Sequence, residues 1–291
     1  MSKLFDKEQF DKDGYAIIPD FLTEEEIQSL RSECWDIVED MKPDEHCPSV
    51  FTTTDPDKHI SNDYFISSGD KIRFFFEEGA IDEKGKLLVD KQKSLNKIGH
   101  ALHTLSPPFR KVTFSEKVKN VVRHLELEDP VVCQSMYIFK QPGIGGEVSP
   151  HQDSTFLKTD PMKLYGLWIA LEDATLENGC LWFIPGSHKN GLYGERRMIR
   201  NADAGPGKPH TIFTGKNTSY NEDDFIPGQV KKGTCVIIHG EVVHKSNNNK
   251  SDKSRHIYTF HVYDSKDTVY SKDNWLQPTE ALPFPHLYTY Q

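Results

Sequence analysis

His151 and Asp153, followed far downstream by His244, Ser246 and Arg255, are residue types that could together hold a metal ion and an acidic organic molecule. On a strand, side chains two positions apart share a face, so His151 and Asp153 could both reach a metal lying against it. A distal histidine would complete a 2-His-1-carboxylate triad, which covers one face of an octahedral Fe(II) and leaves the opposite positions open. The short motif alone is weak, because 13 histidines and 24 aspartates in 291 residues give roughly one His-x-Asp by chance. Gly145, Gly146 and Pro150 just upstream suit an ordinary surface loop equally well.

The distal ligand has two candidates in the stretch Val236 to Ser246. His239 and Glu241 form a rival His-x-Glu pair, while His244 shares a strand face with Ser246. The polar run Asn247 to Asp252 reads as a turn into a strand from Arg255 to Val262. A hairpin centred between residues 249 and 250 would set His244 opposite Arg255 and give His239 no such partner. The rigid donor fork of Arg255 suits a carboxylate, and the Ser246 hydroxyl could bind the same group, so a dicarboxylic co-substrate fits the set.

These residues need a framework. From Val131 onward the apolar pattern is that of strands: Val131 to Phe139, Leu164 to Leu171, Cys180 to Ile184, Thr234 to Ile238, Val242 to Ser246 and Arg255 to Val262. Strands in this number, with a metal on an inner face, suggest a mainly β fold with flanking helices, a double-stranded β-helix or jelly roll of the cupin type. The first 125 or so residues read as helical. Thr23 and the run Glu24 to Glu26 form a capping box, and Ile27, Leu30, Cys34, Ile37, Val38 and Met41 recur at helical spacing. Ser94 to Leu105 is expected to be a second helix. Residues 189 to 229 and 46 to 63 are expected to be loops, the former too long for a simple connector. One catalytic domain over 1–291 is expected, with a β core of about 130–265 and a C-terminal extension.

Composition removes several classes of function. The 35 Lys and Arg against 44 Asp and Glu give a net charge of -9, which disfavours a dedicated nucleic-acid binder. Cys34, Cys47, Cys133, Cys180 and Cys235 are scattered and odd in number, suggesting neither a disulfide framework nor a zinc finger. No apolar run is long enough to span a bilayer, and neither a signal-peptide core nor a peroxisomal Ser-Lys-Leu end is evident, so cytoplasm, with nucleus as a second location, is the expectation.

Asn178-Gly179-Cys180-Leu181-Trp182-Phe183-Ile184-Pro185-Gly186-Ser187-His188 resembles the central motif of the phytanoyl-CoA dioxygenases. Gly14-Tyr15-Ala16-Ile17-Ile18-Pro19, followed by Phe21-Leu22-Thr23 and the Glu run, is similar to that family's N-terminal signature. The resemblance implies an Fe(II)- and 2-oxoglutarate-dependent oxygenase that consumes molecular oxygen and releases succinate and CO2. It places the iron ligands on His151, Asp153 and His244, and the distal 2-oxoglutarate carboxylate on Ser246 and Arg255. It further implies co-substrate contacts from Lys97, Met136 and Trp168. Read unaided, Lys97 would be a solvated helix residue, and Met136 and Trp168 would be core. His188 more naturally shapes a turn than binds a metal. Asp153 stands where halogenating relatives have a small residue, so hydroxylation of a small organic or acyl substrate is expected over halogenation.

Two other classes account for part of the pattern. A zinc hydrolase could use the same three ligands but would leave Arg255 and Ser246 without tasks. A catalytically idle 2-oxoglutarate sensor would have no need of an intact triad. Arg196, Arg197, Arg200 and Lys71 could meet an acidic substrate, although such charges are usually a solvated face.

Overall fold

A computed structural model describes residues 4–42, 50, 63–82, 84–205 and 208–290. In chain order the strands are β1 (Tyr15–Ile18), β2 (Ile72–Phe76), β3 (Leu95–His100), β4 (Pro130–Ile138), β5 (Val148–His151), β6 (Thr159–Asp160), β7 (Leu164–Ala170), β8 (Leu181–Phe183), β9 (Arg197–Arg200), β10 (Thr211–Thr214), β11 (Ile226–Gly228), β12 (Cys235–His239), β13 (His244–Ser246), β14 (Ile257–Asp264) and β15 (Val269–Tyr270). Seven form a major sheet in the order β1-β12-β7-β14-β4-β3-β2, and four form a minor sheet in the order β11-β8-β13-β5. The fold is a double-stranded β-helix, with neighbours in both sheets antiparallel.

Strand alternation decides what each face of the major sheet does. Leu167, Ile169, Ile237, Tyr258, Phe260 and Val262 point outward and join one apolar cluster with Ile27, Leu30, Cys34 and Val38 of the helix Glu24–Asp40. The expected capping box starts that helix: Thr23 Oγ1 accepts from the Glu26 amide, and the Glu26 carboxylate accepts from the Thr23 amide. The intervening residues, Trp168, Ala170, Val236, Ile238 and Ile257, point inward and meet Leu181 and Phe183 of the minor sheet. That apolar packing fills part of the space between the sheets.

Three expectations fail here. Ser94–Leu105 is not a helix: Leu95–His100 is β3, paired with β2 and β4, and only Leu102–Leu105 is helical. The exposed edge of β4 provides hydrogen-bond partners that an isolated helix would have to find within itself, and Gly99 is a poor helix former. A side chain at Gly99 would also stand 3.2 Å from Met136 Cγ, so glycine permits the close approach of β3 and β4. The N-terminal part is therefore not purely helical, since it gives β1, β2 and β3 to the major sheet. Within 189–229 the described residues carry short 3-10 turns, the β9–β10 hairpin and β11, which is ordered structure rather than a plain loop. The 46–63 expectation lies outside the described residues except for Asp63.

Candidate active site

His151 closes β5 and faces His244 directly across to β13, with ring centroids 4.2 Å apart. Asp153 is not on the same strand. The chain leaves β5 at His151 and enters the 3-10 turn Asp153–Thr155, fixed by the Ser154 amide donating to the Gly240 carbonyl at 2.8 Å. Gln152 points away: its amide donates to Gly191 O and Glu241 O and accepts from the Tyr193 amide. The turn thereby folds the carboxylate back toward His151. Asp153 Oδ1 lies 3.6 Å from His151 Nε2 and 3.7 Å from His244 Nε2. One donor atom from each of the three residues lies within 4.8 Å of the other two.

The proton positions make this convergence informative. His151 Nδ1 is 2.8 Å from the Ser149 carbonyl, and His244 Nδ1 is 3.1 Å from the Val242 carbonyl. A carbonyl only accepts, so each ring keeps its proton on Nδ1 and turns an Nε2 lone pair inward. Burial pushes His244 down to about 4, and the adjacent His151 adds to this, so the ring is neutral near pH 7. Burial opposes the charge on Asp153, but His261 and His244 outweigh it and hold the carboxyl well below its usual range. Two imidazole Nε2 atoms and a carboxylate oxygen thus point at one another, an arrangement that a cation between them would stabilise.

The rival histidine is elsewhere. His239 packs against His188, with ring centroids 4.9 Å apart and the rings tilted by 51°, and its Nδ1 accepts from the Glu241 amide. His188 shapes the turn after β8, as expected, with Nε2 3.2 Å from the Asp11 carbonyl. The structure brings His244 rather than His239 to His151 and Asp153, but the expected hairpin is absent. β13 pairs with β5 and β8 in the minor sheet, whereas the residues after Arg255 form β14 of the major sheet. Residues 247–256 cross between the sheets, pinned by Asn249, whose amide donates to Lys140 O and Lys253 O. A polar run looks alike from sequence whether it folds back or crosses over.

Arg255 nonetheless reaches the same cavity, which is about 500 Å3 and is also lined by Lys97, Met136, His151, Asp153 and His261. Its side chain is 2% exposed, and its guanidinium carbon stands 5.3 Å from the Trp168 ring centre. Burial lowers it only to about 10, so it remains a cation. Nε has no hydrogen-bond partner, and among the described residues no carboxylate comes within 4 Å of the guanidinium. The Glu172 carboxylate steadies the segment on both sides, accepting from Ser254 Oγ and the His256 amide. Ser246 is buried with its hydroxyl donating to Gly179 O, and neither it nor Trp168 lines the cavity.

Lys97 projects inward from β3 over the Phe75 ring, and burial drives it down to about 7. Of the four basic residues read from sequence as a possible acidic-substrate face, only Arg196 lines the cavity. Arg197 donates to Ser271 and Asn274, Arg200 to the Trp275 carbonyl, and Lys71 pairs with Asp70. His261 was missed. It sits on β14 with Nε2 3.1 Å from Asp153 Oδ2, and counting by twos from Arg255 through Ile257 and Thr259 would have placed it on the inward face.

The sequence profile described as Phytanoyl-CoA dioxygenase (PhyH) matches residues 10–257. Phytanoyl-CoA dioxygenase domain-containing protein 1 of Danio rerio is 54% identical over 289 residues, covering 98% of each chain. The chain belongs to the phytanoyl-CoA dioxygenase family. As such it is a 2-oxoglutarate-dependent dioxygenase, and the His151, Asp153 and His244 cluster supplies the ligand set that Fe(II) requires in that class. Phytanoyl-CoA dioxygenase of Arabidopsis thaliana is 48% identical over 268 residues, covering 92% of this dioxygenase and 91% of that protein. Among solved structures, the non-heme alpha ketoglutarate dependent carbocyclase SnoK from nogalamycin biosynthesis shares the fold at 19% identity, with a TM-score of 0.62 and 96% of each chain covered.

Proposed function

We propose that this dioxygenase hydroxylates a C–H bond of a small organic or acyl substrate, with iron on His151, Asp153 and His244 and 2-oxoglutarate anchored by Arg255. The observation that carries the reading is the convergence of three lone-pair donors whose outer nitrogens are tied to backbone carbonyls. Fe(II) with 2-oxoglutarate and oxygen supplies the oxidising power, and succinate and CO2 are the co-products.

The protein's own residues divide the remaining work. Arg255 offers a desolvated donor fork with an unspent Nε–H, suited to the far carboxylate of the co-substrate. Trp168 supports the guanidinium from one face, and Met136 and Lys97 wall the cavity beside it. Ser246 donates its hydroxyl to Gly179 O and is free for the co-substrate only if that hydrogen bond is exchanged. Phe65, Phe156, Phe213 and Trp275 line the cavity, which favours an organic substrate with apolar surface. A zinc hydrolase on the same ligands would leave Arg255 buried without a task. A cytoplasmic location is supported by buried, unpaired Cys34, Cys133, Cys180 and Cys235. No helix among the described residues is long and apolar enough to cross a membrane.

The test is 2-oxoglutarate-dependent succinate formation in the wild type, His151→Ala and Asp153→Ala. Loss in both variants is expected, and equal succinate formation in all three proteins would sink the triad.

A further inference from the structure

Asp153 uses its two oxygens differently. Oδ1 faces the two ligand histidines at 3.6 and 3.7 Å, while Oδ2 lies 3.1 Å from His261 Nε2. On the far side of that ring, Gln134 Nε2 lies 3.1 Å from His261 Nδ1. An amide nitrogen donates, so Nδ1 accepts and the ring proton sits on Nε2, facing the carboxylate. Gln134 and His261 are direct cross-strand partners on β4 and β14, and His261 pairs on its other side with Gly166 of β7. A Cβ at Gly166 would stand 3.4 Å from both Asp153 Oδ2 and His261 Nε2, so glycine leaves the space in which the two meet. Both His261 and Gln134 are buried, which strengthens this hydrogen bond relative to one made in water.

We propose that Gln134 and His261 form a relay that holds Asp153 as a one-oxygen ligand by occupying Oδ2. This rests on the triad assigned above. A carboxylate with both oxygens free can chelate a cation through two positions, and one so bound leaves fewer positions for a keto acid. His261 thus acts as a positioning residue, working on the open side of the metal through Asp153.

Co(II) is the probe, because its binding and visible absorption are read without turnover. In the full-length protein, His261→Ala is expected to lower Co(II) affinity about 10- to 100-fold, the range typical of lost outer partners. Its Co(II) absorption spectrum is expected to change, and 2-oxoglutarate is expected to bind the Co(II)-loaded variant more weakly. His261→Gln keeps a side-chain N–H and is expected to restore most of the affinity and the wild-type spectrum. Gln134→Leu, which leaves every metal ligand intact, should shift both readouts in the same direction as His261→Ala but by less. Wild-type affinity and spectrum in His261→Ala overturn the proposal. If that variant does not fold, an unchanged Co(II) spectrum in Gln134→Leu overturns it instead. Asp153→Ala separates the two readings. Retained Co(II) affinity there refutes the triad itself, whereas its loss alongside wild-type behaviour of the His261 variants refutes only the relay.

Discussion

Replacing Arg255 with lysine probes the proposed co-substrate anchor without removing its charge. The native guanidinium is buried, stacked near Trp168, and has an Nε without a partner. A lysine ammonium could make one directed contact with a carboxylate but could not reproduce two parallel ones. Losing one charge-assisted hydrogen bond costs about 1.5–3 kcal/mol. Losing the stacked contact with the indole adds about 0.5–1 kcal/mol. The sum of roughly 2–4 kcal/mol corresponds to about a 30- to 700-fold weaker affinity for 2-oxoglutarate. Calorimetric titration of 2-oxoglutarate into Co(II)-loaded protein measures it directly, and the Co(II) affinity itself should not move, since Arg255 touches none of the three ligands. A lysine variant that binds 2-oxoglutarate within about threefold of the wild type would refute the reasoning, because a lost fork must cost more than the ~0.6 kcal/mol this represents.

Lys97 makes stability depend on pH in a known direction. Its folded value of about 7 lies below the unfolded value of 10.5, so the unfolded chain binds more protons between those limits. Stability should therefore rise as pH increases from about 7 toward 10, and Lys97→Met should flatten that slope in urea unfolding at pH 6, 8 and 9.5. A slope unchanged by the substitution would show that Lys97 is charged in the folded protein. His239→Ala is the control for the rival ligand. It should leave Co(II) affinity within about twofold of the wild type while lowering stability by roughly 1–3 kcal/mol, because it empties a packed site beside His188 and Tyr165. A large loss of Co(II) binding would return His239 to the list of ligands.

Local patterning carried most of the fold. The six strands expected after residue 130 are present because alternation and β-branching are read from neighbours two apart, and the capping box at Thr23 needs only four residues. Where the fold depends on distant partners, local reading failed. Ser94–Leu105 places Lys97, His100 and His103 at helical spacing, yet β4 recruits Leu95–His100 as a strand across about forty residues of chain. The crossing at 247–256 is dictated by two sheets competing for His244 and Ile257, which the polar run does not encode. Met136 lines the cavity and Trp168 stands against Arg255 because both pair with Thr259, a register only the assembled sheet reveals. Family resemblance supplied them; spacing did not.

The cavity between the sheets has a thermodynamic consequence. Beside it, Leu181, Phe183, Trp168 and Val236 close the gap between the sheets with their own side chains. Around the triad about 500 Å3 is left for visitors, with a buried cation and converging lone pairs on its walls. Metal and co-substrate then act as detachable core. Each occupant adds RT ln(1 + [L]/Kd) to the folding free energy, about 2.7 kcal/mol at a hundredfold excess over Kd. The melting temperature of this protein should accordingly read out which of its small molecules is aboard.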